Sequence, residues 1–147
     1  MKKPFAVLAV LSIAMLSFAQ GGGVPAYHPA PPSKVAKLPA ILPPEQLWGP
    51  QFQHAYQKRA YELAAKIPDV IYQQPCYCYC DRIGHSSLRT CYESTHAAVC
   101  SHCLKELYYT YFEHKKGKTA KQIRAGIEKG EWQSIELTEA AQRSMKP

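Results

Sequence analysis

Cysteine and histidine side chains are the part of this 147-residue chain that could do chemistry. All six cysteines lie between positions 76 and 103, and His85 and His96 lie among them. Thiolate and imidazole groups are the usual protein ligands of zinc and of copper(I). The candidate ligands are Cys76, Cys78, Cys80, His85, Cys91, His96, Cys100 and Cys103. These donors exceed what one tetrahedral ion takes, so we expect two ions or a small cluster.

The second half of the cluster is predicted to lie on one helix, over about residues 94–114. At about 100° per residue, Cys100 lies about 40° around the helix from His96, and Cys103 lies about 20° away on the other side. Three ligands therefore share one face, close enough for a tetrahedral metal to bind them without unwinding the helix. His102 faces elsewhere and is not expected in the site.

The first half of the cluster has the spacing C-x-C-x-C, at Cys76, Cys78 and Cys80. In an extended segment alternate side chains point the same way, so all three sulfurs could face one centre. A disulfide between two cysteines this close in the chain would close a strained ring. The spacing lacks the paired C-x-x-C knuckles of a standard zinc finger, and it favours copper(I) or a multi-zinc thiolate cluster.

Two other uses of the thiols remain open. Disulfides could staple a small exported domain, since an even number of cysteines can pair completely, but this leaves His85 and His96 unexplained. Alternatively, Cys100 and Cys103 form a C-x-x-C pair that could exchange thiol and disulfide. That pair would lie about one and a half turns into the predicted helix, where the helix dipole acts weakly, and no βαβ pattern surrounds it.

The scaffold that must position these ligands is predicted to be mostly α, a small domain of three to four helices around the Cys/His-rich loop. An apolar stripe from Phe52 to Ile67 predicts a first helix, which Pro68 ends or kinks. Thr119 and Gln122 form a capping box before a last helix. No strand-rich region is indicated.

The first residues of the chain are typical of a secretory signal peptide, with a lysine pair, an apolar run and small residues before position 20. We therefore expect a soluble protein outside the cytoplasm, periplasmic or extracellular, with no membrane anchor left after cleavage. Passage through the membrane as an unfolded chain argues against an iron–sulfur cluster. The predicted organisation is a signal peptide over residues 1–19, a disordered proline-rich linker over 20–49, a folded domain over 50–137 and a frayed tail over 138–147.

Other functional classes find little support. The formal charge is +7, but the basic residues between 115 and 129 lack interleaved aromatic residues and match no nucleic-acid motif. They are interpreted as a solvated helix face. No serine–histidine–acid or paired-carboxylate arrangement can be argued from spacing, so the sequence does not indicate an enzyme. A metal ion is the expected partner, bound for storage, delivery or sensing, with no nucleic acid.

The cysteine motif as a whole resembles a known family. The bacterial family named for its PCYCGC or CYCXC motif has a similar arrangement, matched here by Pro75-Cys76-Tyr77-Cys78-Tyr79-Cys80, Gly84-His85, Cys91, His96 and Cys100-x-x-Cys103. The resemblance covers about residues 50–130. It implies an exported small domain, often a lipoprotein, and selenocysteine in the motif of some relatives favours redox chemistry over a purely structural role. Tyr79 stands where glycine is usual, and the lipoprotein cysteine is missing.

Overall fold

The computed structural model describes residues 23–146. Within that range the chain forms α1 (Ala55–Ala64), α2 (Pro68–Tyr72), α3 (Ser101–Lys115), α4 (Ala120–Glu128) and α5 (Leu137–Ser144). Short 3₁₀ helices lie at Val35–Lys37, Pro44–Gln46, Cys80–Ile83, Leu88–Tyr92, Thr95–Val99 and Glu131–Ser134. No β-strand occurs over residues 23–146. The prediction of a mostly α domain is confirmed, although this part of the chain has five α-helices rather than three to four.

Helix α3 lies at the centre of the fold. It packs against the other four α-helices and against the 3₁₀ helix that precedes it. Leu107 and Tyr108 are fully buried, and the polar residues Glu106 and Thr110 are buried beside them. A helix that is buried on nearly every side belongs to the core. Since α3 begins directly after Cys100, the packing around it also holds the end of the Cys/His cluster in place.

The starts of the first two helices have local causes. His54 and Gln57 form a capping box at the start of α1, and the backbone N–H of His54 donates to Oε1 of Gln57 at 2.7 Å. Helix α1 therefore begins a few residues later than the apolar stripe predicts. Pro68 begins α2, because a proline at the first helical position has no N–H that a helix would leave unsatisfied.

Helix α4 has the cap that the sequence predicts. The backbone N–H of Gln122 donates to Oγ1 of Thr119 at 3.3 Å, and the Thr119 N–H donates to Oε1 of Gln122 at 2.9 Å. Two N–H groups at the helix start are thereby satisfied. After α4, Gly130 adopts φ 77°, a left-handed conformation that glycine takes readily.

The frayed tail predicted for residues 138–147 is wrong over α5. Ala140 and Ala141 are buried, and their small side chains let α5 pack closely on α1 and α3. The side chain of Arg59 in α1 is hydrogen-bonded to the last residue of α5. Its Nε donates to Ser144 Oγ at 2.9 Å, and its Nη2 donates to the Ser144 carbonyl at 2.6 Å. These contacts stabilise a short helix that its own sequence pattern signals only weakly.

The proline-rich residues 25–47, hereafter the N-terminal segment, lie along the helices, whereas the sequence predicts a disordered linker. The His28 ring stacks on Tyr72 with centroids 3.8 Å apart. The backbone N–H of Leu42 donates to the Tyr92 carbonyl at 2.9 Å. Ile41 and Leu42 pack against the core, whereas Trp48 is 73% exposed. The boundary between linker and domain near residue 49 stays a prediction.

The N-terminal segment also contacts the loop over residues 75–93, which carries four of the six cysteines. The backbone N–H of Ala26 donates to Oδ2 of Asp81 at 3.2 Å. Arg89, which is buried, donates from Nη2 to the carbonyl of Pro39 at 2.6 Å. The N-terminal segment is therefore hydrogen-bonded to the cysteine-bearing loop at two separate points.

Residues 1–19, predicted as a signal peptide, lie outside the described residues. Among the described helices, none combines the length and the apolar character needed to span a lipid bilayer.

Candidate metal centre

The C-x-C-x-C segment forms a turn instead of the predicted extended strand. The N–H of Tyr79 donates to the Cys76 carbonyl at 3.0 Å, and Tyr79 has the left-handed conformation φ 56°, ψ 35°. The turn places Sγ of Cys78 at 3.0 Å from Sγ of Cys76 and at 2.8 Å from Sγ of Cys80. The three sulfurs do converge, but a different backbone shape brings them together.

The second half of the cluster lies at a break between two helices. His96 belongs to the 3₁₀ helix Thr95–Val99, and α3 begins one residue after Cys100. Cys100 itself is extended, with φ −112° and ψ 107°. The single helix predicted over about residues 94–114 is therefore wrong, and the ligands do not share one helical face. Ser94 caps the 3₁₀ helix by accepting the His96 N–H at 3.3 Å, so each helix has its own start.

Two sets of four donor atoms meet between the turn and α3. Within each set the donor atoms all lie within 4.8 Å of one another, and each set could hold a metal ion. Together the sets contain every predicted ligand except His85 and Cys100. The thiol set consists of Cys76, Cys78, Cys91 and Cys103, and the mixed set consists of Cys78, Cys80, Cys91 and His96.

The sulfur–sulfur distances suit ligands of one ion better than disulfides. All six cysteines of the chain lie within the described residues, and each is a free thiol. Sγ of Cys103 lies 3.4 Å from Sγ of Cys76 and 3.6 Å from Sγ of Cys78. A disulfide bond is about 2.05 Å long. Four thiolates around an ion at about 2.3 Å each lie about 3.8 Å apart, which is close to the two distances from Cys103, whereas the 2.8 and 3.0 Å distances within the turn are shorter.

The two histidines approach different thiols. Nε2 of His96 lies 3.0 Å from Sγ of Cys80, and Nδ1 of His85 lies 3.2 Å from Sγ of Cys91. Their rings meet edge to face with centroids 4.9 Å apart. His85 belongs to neither ligand set, so its position suits an outer partner that orients the Cys91 sulfur.

Cys100 lies at the edge of the cluster. It occupies the cap position of α3 and is half-buried, whereas Cys103 lies in the first turn and is fully buried. The C-x-x-C pair is therefore at the start of a helix, and the prediction that it lies about one and a half turns inside is wrong. The helix dipole acts most strongly at such a position.

The thiol set is more deeply buried than the mixed set. Cys91 and Cys103 have no exposed surface, and Cys76 is 4% exposed. Cys78, which belongs to both sets, and His96, which belongs to the mixed set, are partly exposed. One side of the cluster is therefore accessible from solvent, while the other side is enclosed by the core.

The protonation states of two side chains follow from burial. Burial raises the pKa of the Cys80 thiol above its usual range, and the neighbouring Cys78 thiol raises it further. Burial lowers the pKa of His85, and the neighbouring His96 adds to that effect. Without a cation the site thus favours a protonated Cys80, because burial and the neighbouring sulfur disfavour its thiolate, and a neutral His85, because burial disfavours the imidazolium.

The 3₁₀ helix that carries Cys91 is fixed to both halves of the site. The hydroxyl of the buried Tyr92 donates to the carbonyl of Cys103 at 2.8 Å. At the other end of this helix, the Leu88 N–H donates to the carbonyl of Gln74 at 2.9 Å. These two bonds hold Cys91 between the turn and α3, and no sequence motif signals them.

Glu106 is part of the site although the spacing of the cysteines does not predict it. Its Oε1 accepts a hydrogen bond from the N–H of Tyr77 at 2.7 Å, and this bond stabilises the turn. Its Oε2 is buried without a hydrogen-bond partner among the described residues. Burial raises the pKa of Glu106 to about 8, which favours the protonated carboxyl at neutral pH. Its place on α3, three residues after Cys103, is the one signal that could have identified it.

No family model, curated protein or solved structure matches this chain. The resemblance to the PCYCGC family therefore stays a prediction, and the two ligand sets determine the chemistry of the site.

Proposed function

We propose that this chain is an exported metal-binding protein that holds soft d¹⁰ ions, copper(I) or zinc, for storage or delivery. The observation that carries the proposal is the meeting of thiol and imidazole donors in two sets whose atoms lie within 4.8 Å of one another. These donors come from the turn, three 3₁₀ helices and α3. The fold therefore brings together groups that are distant in the chain.

The energetics of the cluster favour a bound cation. Cys91 and Cys103 are completely buried, and sulfurs of both sets lie within a few ångströms of them. Thiolates packed this closely repel one another, and burial removes the water that would otherwise solvate them. A metal ion offsets both costs, because it replaces the protons and binds the sulfurs directly.

The donor types restrict the ion. The two sets contain sulfur and imidazole nitrogen and no carboxylate oxygen. Calcium and magnesium prefer oxygen ligands, so they fit poorly. Thiolates select copper(I) and zinc, and imidazole is acceptable to both ions.

Storage or delivery fits the site better than a permanently enclosed structural ion. Cys78 and His96 are partly exposed, so an ion bound by the mixed set could be reached by a competing ligand. A purely structural zinc site is closed by its own ligands and needs no such access.

Metal binding can be tested on protein purified from the exported fraction under anaerobic, reducing conditions. We expect the mass under native conditions to exceed the mass under denaturing conditions by the weight of bound copper or zinc. We also expect all six thiols to react after denaturation. Equal masses after incubation with each ion, or a mass lowered by disulfide formation with no reactive thiol, would contradict the proposal.

Export can be tested by the same purification. The proposal requires that the exported protein begins at Gln20, because the signal peptide ends at Ala19. Intact mass or N-terminal sequencing measures this directly. A protein that stays in the cytoplasm and keeps its first residue would rule out export.

A second candidate function is thiol–disulfide exchange by Cys100 and Cys103, and the position of the pair at the start of α3 favours it. A helix N-terminus lowers the pKa of a thiol. Within this cluster, however, the Cys103 thiol lowers the pKa of Cys100 while the Cys78 thiol and burial raise it, and the net direction is upward. We therefore rank exchange second. Reduction of a disulfide substrate by the metal-free protein, abolished in Cys100→Ser, would reverse that ranking.

A further inference from the structure

The two ligand sets overlap, and both shared members are cysteines. Cys78 and Cys91 belong to the thiol set and to the mixed set alike. A thiolate sulfur has several lone pairs and can bind two metal ions at once. An imidazole nitrogen has one lone pair available and binds one ion. His96 is accordingly found in one set alone, where a terminal ligand is expected.

We propose that the site holds two d¹⁰ ions bridged by the thiolates of Cys78 and Cys91. This assignment rests on the proposed metal-binding function and specifies its stoichiometry. Cys76 and Cys103 complete the coordination of one ion, the inner ion. Cys80 and His96 complete that of the second, the outer ion.

The number of donors matches a bridged pair. Two tetrahedral ions that share two ligands need six donors, and the two sets contain six different residues. Two separate tetrahedral ions would require additional donors. The remaining candidates, His85 and Cys100, belong to neither set. Sharing is therefore the arrangement that satisfies both ions with the atoms that lie together.

The position of the shared cysteines also fits bridging. Cys78 lies in the middle of the C-x-C-x-C turn, with its Sγ 3.0 Å from Sγ of Cys76 and 2.8 Å from Sγ of Cys80. It therefore lies between a terminal ligand of the inner ion and a terminal ligand of the outer ion. Cys91 lies opposite the turn and is held there through the bond from Tyr92 to Cys103.

The two ions have different surroundings. The terminal ligands of the inner ion, Cys76 and Cys103, are buried. The outer ion has one imidazole ligand, and His96 is partly exposed. A competing ligand reaches a partly exposed ligand more readily than a buried one, so the outer ion should leave first when a chelator is added.

The test is to load the full exported protein with ¹¹³Cd(II), a d¹⁰ probe that accepts sulfur and nitrogen ligands, and to record native mass and ¹¹³Cd NMR spectra. We expect two bound ions and two resonances, with a scalar coupling between the two cadmium nuclei transmitted through the shared sulfurs. One bound ion, or two resonances without coupling, overturns the bridged pair while leaving metal binding intact. No bound ion at all contradicts the proposed function itself.

Variants assign the bridge to its residues. In Cys78→Ser the coupling should weaken or disappear and at least one ion should be lost. Cys100→Ser changes another partly exposed thiol of the cluster and should keep both ions and their coupling. His96→Ala should keep the inner ion and lose the outer ion. Equal effects of Cys78→Ser and Cys100→Ser would overturn the assignment, and the wild-type spectrum decides the question even if a variant folds poorly.

Discussion

Nε2 of His96 lies 3.0 Å from Sγ of Cys80, although 16 residues separate the two in the chain. His85 has a contact of the same kind with a different cysteine, since its Nδ1 lies 3.2 Å from Sγ of Cys91. His96 belongs to a ligand set and His85 does not. The two imidazoles therefore have different expected roles, one as a metal ligand and one as an orienting partner.

This difference predicts an order of effects on metal affinity. Replacing an outer partner of a ligand costs about 10- to 100-fold in affinity, which we expect for His85→Ala. His96→Ala removes a direct ligand and should cost more. Competition with a chromogenic chelator measures both. His114→Ala, on the exposed end of α3, is the matched control and should bind like the wild type. A larger loss in His85→Ala than in His96→Ala would reverse the assigned roles.

Tyr79 predicts a stability difference between two substitutions. Its φ of 56° lies in the left-handed region, which costs a residue with a Cβ about 1–2 kcal/mol. Tyr79→Gly and Tyr79→Ala both lose the contact with Arg82, whose guanidinium lies 5.0 Å from the ring centroid. Urea unfolding of the metal-free protein should therefore show Tyr79→Gly more stable than Tyr79→Ala by about that amount. Equal stabilities would mean that the turn relaxes to another conformation.

Glu106 predicts a pH-dependent stability of the metal-free protein. Its folded-state pKa of about 8 lies above its ordinary value of 4.5, so the folded state binds the extra proton between these two values. The stabilisation is present at low pH and is lost as the pH rises through about 8. One such proton changes the free energy of unfolding by about 1.4 kcal/mol per pH unit.

We therefore expect Glu106→Gln to be more stable than the wild type at pH 8 and to have a flatter stability profile between about pH 4.5 and 8. The thiols titrate in both proteins, so the difference between the two urea-unfolding series isolates the carboxyl. Glu139→Gln, an exposed change of the same type, should keep the wild-type slope. An unchanged slope in Glu106→Gln would show that this carboxyl is ionised in the fold.

We expect that replacing Gly126 in α4 with alanine destabilises the fold. Glycine-to-alanine changes in a helix usually stabilise by about 1 kcal/mol. Here a Cβ would lie 1.9 Å from the hydroxyl oxygen of Tyr109 and 2.7 Å from Oε2 of Glu131. Gly126→Ala should therefore lower the free energy of unfolding by about 1–3 kcal/mol. Tyr109→Phe removes the clashing hydroxyl, so the double variant should lose less stability than the sum of the single variants.

Local chemistry explains which parts of the fold could be predicted. The capping box of Thr119 and Gln122 depends only on residues that are close together in the chain, and it forms as predicted. Helix α5 depends instead on Arg59, which is distant in sequence, and its own pattern is short. The N-terminal segment could not be placed from composition either. Prolines lack N–H groups but still offer carbonyls and apolar surface, and Arg89 uses the carbonyl of Pro39.

In the candidate site, too, local sequence features could be predicted, whereas contacts between distant residues could not. All members of the two ligand sets are among the ligands predicted from residue type and spacing, and their binding of a metal stays a prediction. The spacing could not show that the backbone is extended at Cys100, because a continuous helix would also bring His96 near Cys103. Nor could it distinguish Cys91 from the other thiols, since its shared position depends on the bond from Tyr92 to α3. Glu106 has one sequence signal, its place three residues after Cys103, but its role depends on the N–H of Tyr77, which is distant in the chain.

The N-terminal segment has a consequence for how long an ion stays bound. Through Asp81 and Arg89 it contacts the loop over residues 75–93, which carries four of the six cysteines, without supplying a ligand itself. Proteolytic trimming before residue 47, or tension on the chain end, would let this loop open more often. Ion escape would then accelerate while every coordinating atom remained in the protein.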